Sequence, residues 1–336
     1  MGVSRSRSGA CFSGVPESIE AYPTMNTSLT SVTVSEDRRA LLLNLESHLK
    51  ALIRGQDSAL SRIVSVLQRG ELGLCTHGRP KGSFLLLGPT GVGKTESIVV
   101  FTRHLMGDKR LFRFDMSEYQ TQESLGLLLG ATSSERGMLG QVAARSLTGT
   151  LLFDEIEKAH PRIMDVFLQI LDAARVTLAD GTTLDLSGFY VVFTSNIGSA
   201  ELLDWQHSSF ATMERHVLAR ARQWLRPELY ARITEKLVFE RLDYDTQVEI
   251  ARLMLETHLA GLADKGHPLT ATPEVLPFLV RKGFHPKLGA RPLRDCLEKQ
   301  VGDAVAGRLL AEGRCQGVLH VEADHLVVNV PEPRTS

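Results

Sequence analysis

The sequence is poor in cysteine and lacks a charge imbalance. Its four cysteines, Cys11, Cys75, Cys296 and Cys315, are scattered and form no CxxC pair. That pattern excludes a disulfide framework, argues against a zinc site, and points to a reducing compartment such as the cytoplasm. Lys and Arg number 38 against 39 Asp and Glu, a net charge of -1. A generally basic protein that coats nucleic acid is thereby excluded, although a local basic patch is not. No apolar run approaches the roughly 18 residues that cross a bilayer, which excludes a membrane-spanning helix. No internal repeat is present. What remains is an ordinary globular composition, 43% apolar and 23% charged over 336 residues. At roughly 150 residues per domain this length holds about two domains and a real core.

Residues 1–35 differ from the rest. Twelve of them are Ser or Thr and apolar periodicity is missing, which predicts a disordered tail. Two targeting look-alikes sit there. Met1-Gly2-Val3-Ser4-Arg5-Ser6 fits a short myristoylation pattern, and the opening residues are Arg- and Ser-rich like a transit peptide. The plainer reading is a disordered leader, or a start placed too early with Met25 as the alternative.

Beyond the tail, periodicity orders the chain. Leu41, Leu42, Leu45, Leu49, Leu52 and Ile53 recur at helical spacing, and Gly55-Gln56 ends that helix before a second over 57–69. The glycine-rich stretch 70–82 reads as a loop. Strands over 83–87, 111–114, 150–153 and 189–194 then alternate with helices over 94–105, 121–129, 161–174 and 214–225. This alternation predicts an α/β fold with a parallel sheet flanked by helices on both faces. Asp180-Gly181 predicts a hairpin turn, and 236–240 a further strand. Helices over 245–262, 274–282 and 290–311 and a terminal hairpin over 317–321 and 326–330 predict a smaller α+β domain. The expected division is a tail over 1–35, a large domain over 36–242, a small domain over 243–331 and an end over 332–336.

Gly88-Pro89-Thr90-Gly91-Val92-Gly93-Lys94-Thr95 matches GxxxxGK[ST] between an apolar strand and a helix. The glycines let backbone N–H groups turn inward around phosphate oxygens, and the helix N-terminus adds partial positive charge. Lys94 is expected to reach the β- and γ-phosphates of ATP, and Thr95 to offer its hydroxyl to Mg²⁺. About 60 residues on, Leu151-Leu152-Phe153 delivers Asp154 and Glu155 to a strand's carboxyl end, where open α/β sheets bind ligands. Asp154 is expected to hold Mg²⁺ and Glu155 to orient and polarise the attacking water. A glycosidase pair is the rival reading, but adjacent strand residues point to opposite faces. A third strand ends at Asn196, which can reach the water or the γ-phosphate.

Taken with Asp115-Met116-Ser117-Glu118-Tyr119, Asp154-Glu155-Ile156-Glu157-Lys158-Ala159-His160-Pro161, Phe193-Thr194-Ser195-Asn196-Ile197-Gly198-Ser199 and Gly289-Ala290-Arg291-Pro292-Leu293, these residues resemble the second ATPase module of the Clp/ClpB unfoldases, within the AAA+ ATPases. The resemblance covers about 40–330. It implies a P-loop NTPase sheet, a small C-terminal lid, and a ring of subunits, usually six, with ATP at the interfaces. It also implies that Asn196 is the first sensor residue, that Arg232 is an arginine finger crossing into the neighbouring site, with Arg226 the lesser candidate, and that Arg291 is the second sensor on the lid. Ile53–Gln56 resembles the segment beside the adenine.

The sequence departs from that family in two places. The unfoldases grip polypeptide with an aromatic on a pore loop, yet Gly130–Gly140 carries none, and no Phe, Tyr or Trp occurs from Gln120 to Leu152. Met138 and Leu139 are expected to be the apolar side chains at the loop tip. Only Ile197-Gly198-Ser199 follows Asn196, so the docking loop for a partner peptidase is missing. The leading expectation is therefore a stand-alone ATPase that remodels a protein partner without a peptidase. An ATP-controlled assembly scaffold comes second. A nucleic-acid motor comes third, since net charge is near zero and no added DNA-binding motif is present. His160 is expected to end a strand-to-helix turn, and Trp205 and Trp224 to pack.

Overall fold

Three strands are buried from end to end, because each sits inside a parallel sheet with both faces covered. They are β1 (Gly82–Leu87), β3 (Gly149–Asp154) and β6 (Phe189–Ser195). The computed structural model describes residues 34–132, 134–199, 209–285 and 288–329. Within them, β2 (Leu111–Asp115) and β7 (Glu235–Val238) complete a five-stranded sheet in the order β2-β3-β6-β1-β7, parallel throughout. Most of the tail, Ser133, Trp205 and the chain end from 330 on lie outside the described residues.

Side-chain alternation along the strands divides the core in two. Leu85, Leu87, Leu151, Phe153, Val191 and Phe193 point to one face. There they meet α6 (Pro161–Ala173), whose Phe167 ring lies 4.6 Å from that of Phe153 and 5.0 Å from that of Phe193. Phe84, Leu86, Leu152, Tyr190 and Val192 point to the other face. They pack with α1 (Glu36–Leu52), α2 (Asp57–Glu71) and α3 (Lys94–Met106). The expected fold class is thus observed, and its helices and strands fall within a few residues of the sequence reading.

Three elements were not foreseen. The loop expected over 130–140 is in part a helix: α4 (Ser124–Leu129) is followed by α5 (Gly137–Arg145). Gly137 and Gly140 weaken its helical signal, so tertiary packing must supply what propensity lacks. Leu139 is fully buried in the core while Met138 is 42% exposed, which corrects the expectation that both lie at the loop tip. The hairpin of β4 (Arg175–Thr177) and β5 (Thr183–Asp185) forms as expected. After α7 (Phe210–Trp224) comes a second unforeseen element, the short α8 (Pro227–Arg232). Trp224 is 43% exposed, contrary to its expected packing role.

The C-terminal elements are α9 (Tyr244–Asp264), β8 (Leu269–Ala271), α10 (Val275–Gly283), α11 (Arg291–Glu312), β9 (Gly317–Glu322) and β10 (His325–Asn329). The third unforeseen element is β8, which lies parallel to β9 and turns the expected hairpin into a three-stranded sheet. Phe278, Leu279, Leu293, Leu297, Val301, Leu319 and Leu326 make a core of their own. Among the described residues no helix is long and apolar enough to cross a membrane.

At the sheet edge away from the strands' carboxyl ends, the buried Tyr190 hydroxyl has two acceptors for its one proton, the Leu67 carbonyl at 3.0 Å and Glu71 Oε1 at 2.9 Å. Gly70 gives it room, since a Cβ there would overlap the hydroxyl and stand 2.8 Å from the Lys81 carbonyl. Gly70→Ala should therefore lower unfolding free energy by about 1–3 kcal/mol, the usual cost of overpacking. Gly302→Ala, in α11 with nothing within 4 Å of the new methyl, should raise it by roughly 0.5–1 kcal/mol through helix propensity. Urea titrations of the two variants check both signs.

Candidate nucleotide site

The strand order β3-β6-β1 makes neighbours of the three strands that carry chemistry, so their carboxyl ends meet at one edge. After β1 the chain turns through Gly88, Gly91 and Gly93, at φ 135°, 74° and 104°, backbone that side-chain-bearing residues rarely adopt. Gly93 caps α3, which places Lys94 and Thr95 in its first turn. Lys94 is buried, and its ammonium folds back onto its own loop. It donates to the carbonyls of Gly88 and Pro89, the latter at 2.9 Å, and to Asn196 Oδ1 at 3.1 Å. Burial pushes its pKa down to about 8, against the opposing pull of Glu157, Asp154 and Glu155.

Asn196 joins the three strand ends. Its Oδ1 accepts a hydrogen bond from Lys94, its Nδ2 donates to Glu155 Oε1 at 3.1 Å, and its backbone N–H donates to Glu157 Oε1 at 3.0 Å. Glu155 holds a left-handed conformation, φ 56° and ψ 54°, an uncommon state for a residue with a side chain. That bend takes it out of the strand, and its backbone N–H donates to Thr194 Oγ1 at 3.1 Å. Lys158 pairs with its other oxygen at 2.5 Å. Asp154 is held at both oxygens, by the Thr194 hydroxyl and the Arg113 guanidinium.

The structure thus brings Lys94, Asp154, Glu155 and Asn196 together and sets Thr95 beside them. Ile53 is buried next to the loop, 3.4 Å from where a Cβ on Gly93 would stand. Arg291 opens α11, and the segment before it packs on the phosphate loop, with the Ala290 N–H donating to the Gly91 carbonyl at 3.0 Å. The Arg291 side chain itself is exposed. Arg232 makes its contacts elsewhere, with Asp172 and the Glu228 carbonyl. His160 caps α6, accepting from the Arg162 N–H.

Sequence reasoning assigned nothing to Arg113, Thr194 or Glu157. Arg113 gave one signal, a cation inside the otherwise apolar Leu111–Phe114. Glu157 gave none, and its second oxygen is buried without a hydrogen-bond partner. Gln56 is buried too. Its amide donates to the Val92 carbonyl at 3.2 Å and the Glu240 carbonyl at 3.0 Å, pinning the phosphate loop to the end of β7.

Residues 79–236 match the family model described as AAA domain (Cdc48 subfamily), and residues 242–321 match the C-terminal, D2-small domain, of ClpB protein. The chain belongs to the AAA+ ATPases and is built as a ClpB-type second module. This AAA+ module is 37% identical over 298 residues to Heat shock protein 100 of Trypanosoma brucei brucei, covering 85% of this chain and 34% of that protein. It is 37% identical over 292 residues to Chaperone protein ClpB 1 of Thermosynechococcus vestitus, covering 84% and 34%. Against mitochondrial Chaperone protein ClpB4 of Arabidopsis thaliana it is 34% identical over 314 residues, covering 89% and 33%. The module spans about a third of the length of these curated relatives.

The depressed pKa of Lys94 has a sign that can be checked. The unfolded chain holds that proton more tightly than the folded one, so this group makes stability rise with pH between about 8 and its ordinary value near 10.5. Lys94→Met removes the buried charge. Its stability relative to the parent should be most favourable near neutrality and decline toward about pH 10, by at most roughly 1.4 kcal/mol per pH unit. Unfolding titrations at the two pH values measure it, and a constant difference would contradict the assignment.

Proposed function

We propose that this AAA+ module hydrolyses Mg²⁺-bound ATP within a ring of like subunits, six as in the family, and uses the turnover to remodel a protein partner. The observation that carries the reading is the Asn196 side chain bridging Lys94 and Glu155. It connects the group that would hold the γ-phosphate to the carboxylate that would activate water.

The residues present suit a triphosphate with its metal. Three left-handed glycines open the loop backbone, a buried ammonium is bonded among the described residues to loop carbonyls and Asn196, and one Glu157 oxygen beside it is buried without a hydrogen-bond partner. No cluster of three or more metal-binding side chains occurs among the described residues. That suits Mg²⁺, which takes one or two protein oxygens and completes its shell from phosphate and water. Thr95 and Asp154 would hold it, and when bound it neutralises charge on the phosphates. Gly88–Thr95 would wrap the phosphates with backbone N–H groups, and Ile53 would pack at the base. Lys94 would exchange its loop carbonyls for phosphate oxygens while keeping Asn196. Glu155 would orient the attacking water at the oxygen bonded to Asn196 and take its proton. Arg232 would enter the neighbouring subunit's site, and Arg291 would report the nucleotide to the small domain.

Leu139 is buried, which leaves Met138 as the one large apolar side chain exposed on α5, so the pore-side segment lacks the apolar pair that threading would use. Remodelling of a dedicated partner complex, with no peptidase and in a reducing, cytoplasm-like compartment, fits this surface better than processive unfolding. A second reading is an assembly scaffold that binds ATP with little turnover. The Lys158 ion pair favours it, since it neutralises the carboxylate that would act as base.

Glu155→Gln should retain ATP binding and lose about 10²–10⁴ in turnover, the usual contribution of a positioned base. Steady-state hydrolysis beside nucleotide-retention measurements tests this, and equal, negligible rates for both proteins would select the scaffold. Lys94→Ala and Arg232→Ala subunits should each be inactive alone, yet regain activity when mixed, because some interfaces then hold both an intact loop and an intact arginine. Absence of rescue at every mixing ratio would remove Arg232 from the neighbour's site.

A further inference from the structure

We infer that Asp172 is the positioning residue that aims Arg232 out of its own subunit toward the neighbouring site. The inference rests on the reading of Arg232 as an arginine that acts in trans.

Arg232 ends α8 and Asp172 stands in the last turn of α6. Arg232 Nε donates to Asp172 Oδ1, and Nη1 donates to the Glu228 carbonyl at 3.3 Å. Two of the three guanidinium nitrogens are therefore committed within the subunit, and Nη2 has no hydrogen-bond partner among the described residues. The side chain is 33% exposed, and the two bonds set the plane of its guanidinium. An arginine that stabilises charge only in the transition state gains most from such pre-orientation, because no reorganisation remains at the moment of reaction.

The other end of α8 is tied to the same helix. Arg226 Nη1 donates to Asp165 Oδ1 at 2.5 Å, and its Nη2 to the Pro161 carbonyl at 3.0 Å. Asp165 and Asp172 are two turns apart and share a face of α6. Helix α6 itself starts at Pro161, a few residues after Glu155, and rises about 16 Å to the carboxylate that holds Arg232. One rigid helix thus links the water-activating end of a subunit's own site to the arginine it presents outward. An exposed ion pair adds little to stability, so removing Asp172 should act on turnover rather than on folding.

The experiment compares the full chain with Asp172→Ala, Asp172→Asn, Asp165→Ala, Arg232→Ala and the Asp172→Ala/Arg232→Ala double variant, measuring ATP hydrolysis across ATP concentrations and thermal unfolding. Asp172→Ala should lower kcat about tenfold or more with KM changed less than twofold and Tm unchanged. Asp172→Asn, which keeps an acceptor oxygen but not the charge, should fall between it and the parent. Asp165→Ala should stay within twofold of the parent. The double variant should be no slower than Arg232→Ala alone, because Asp172 acts only through that arginine. If Arg232→Ala is slow while Asp172→Ala turns over at the parent rate, the positioning assignment fails and the finger stands. Further slowing in the double variant, or an equal loss from Asp165→Ala, also overturns it. If Arg232→Ala itself keeps the parent rate, the finger reading falls and the role of Asp172 falls with it.

Discussion

Asn196 stands between two charges that would otherwise have no fixed relation. Its amide accepts from Lys94 on one side and donates to Glu155 on the other, while its backbone N–H is anchored by Glu157. Only a side chain with both a donor and an acceptor can do this in one plane. A hydroxyl at this position would be too short, and a carboxylate would leave Glu155 facing another negative charge. Because β6 lies between β3 and β1, the residue that ends it is the one placed to span the ends of both neighbours. The sheet order, the bend at Glu155 and the burial of Lys94 all serve that bridge.

Backbone contacts join the small domain to the phosphate loop. Gly91 has no room for a side chain, since a Cβ there would stand 3.0 Å from the Ala290 nitrogen and 3.1 Å from that of Arg291. Gly289 faces it with φ 60°, and its Cβ would stand 2.6 Å from the Gly91 carbonyl. Two glycines in left-handed backbone thus let the segment before α11 lie directly on the loop that would hold phosphate. A movement of α11 and a movement of that loop are connected through this contact, which supports the proposal that Arg291 reports the nucleotide.

The departures from the unfoldase pattern have a structural counterpart. Burial of Leu139 in the core shared with Phe114, Phe153 and Val142 turns the segment expected to grip polypeptide into part of the scaffold. Met138 is the one large apolar side chain of α5 left outward. This reduced apolar surface is what supports the proposal of moving a partner over that of pulling a chain through the module.

The order of apolar strands and helices, the parallel sheet, the phosphate loop and the Asp154-Glu155 pair were all legible from one-dimensional pattern. Hydrophobic period and glycine spacing are local properties, and they survive in any single window of sequence. The network around the site was not legible in that way. Arg113 meets Asp154 across neighbouring strands, Gln56 reaches residues 36 and 184 positions away, and Leu139 is buried because α5 closes onto α4 and the hairpin. Arg232 was recognisable only by its place in a family pattern, while its partner Asp172, 60 positions earlier, emerged once α6 and α8 were packed. Residue type and spacing determine which chemistry is possible in this protein. Which oxygen faces which nitrogen is decided by register and packing between distant segments, where the contacts are set by geometry that no local window contains.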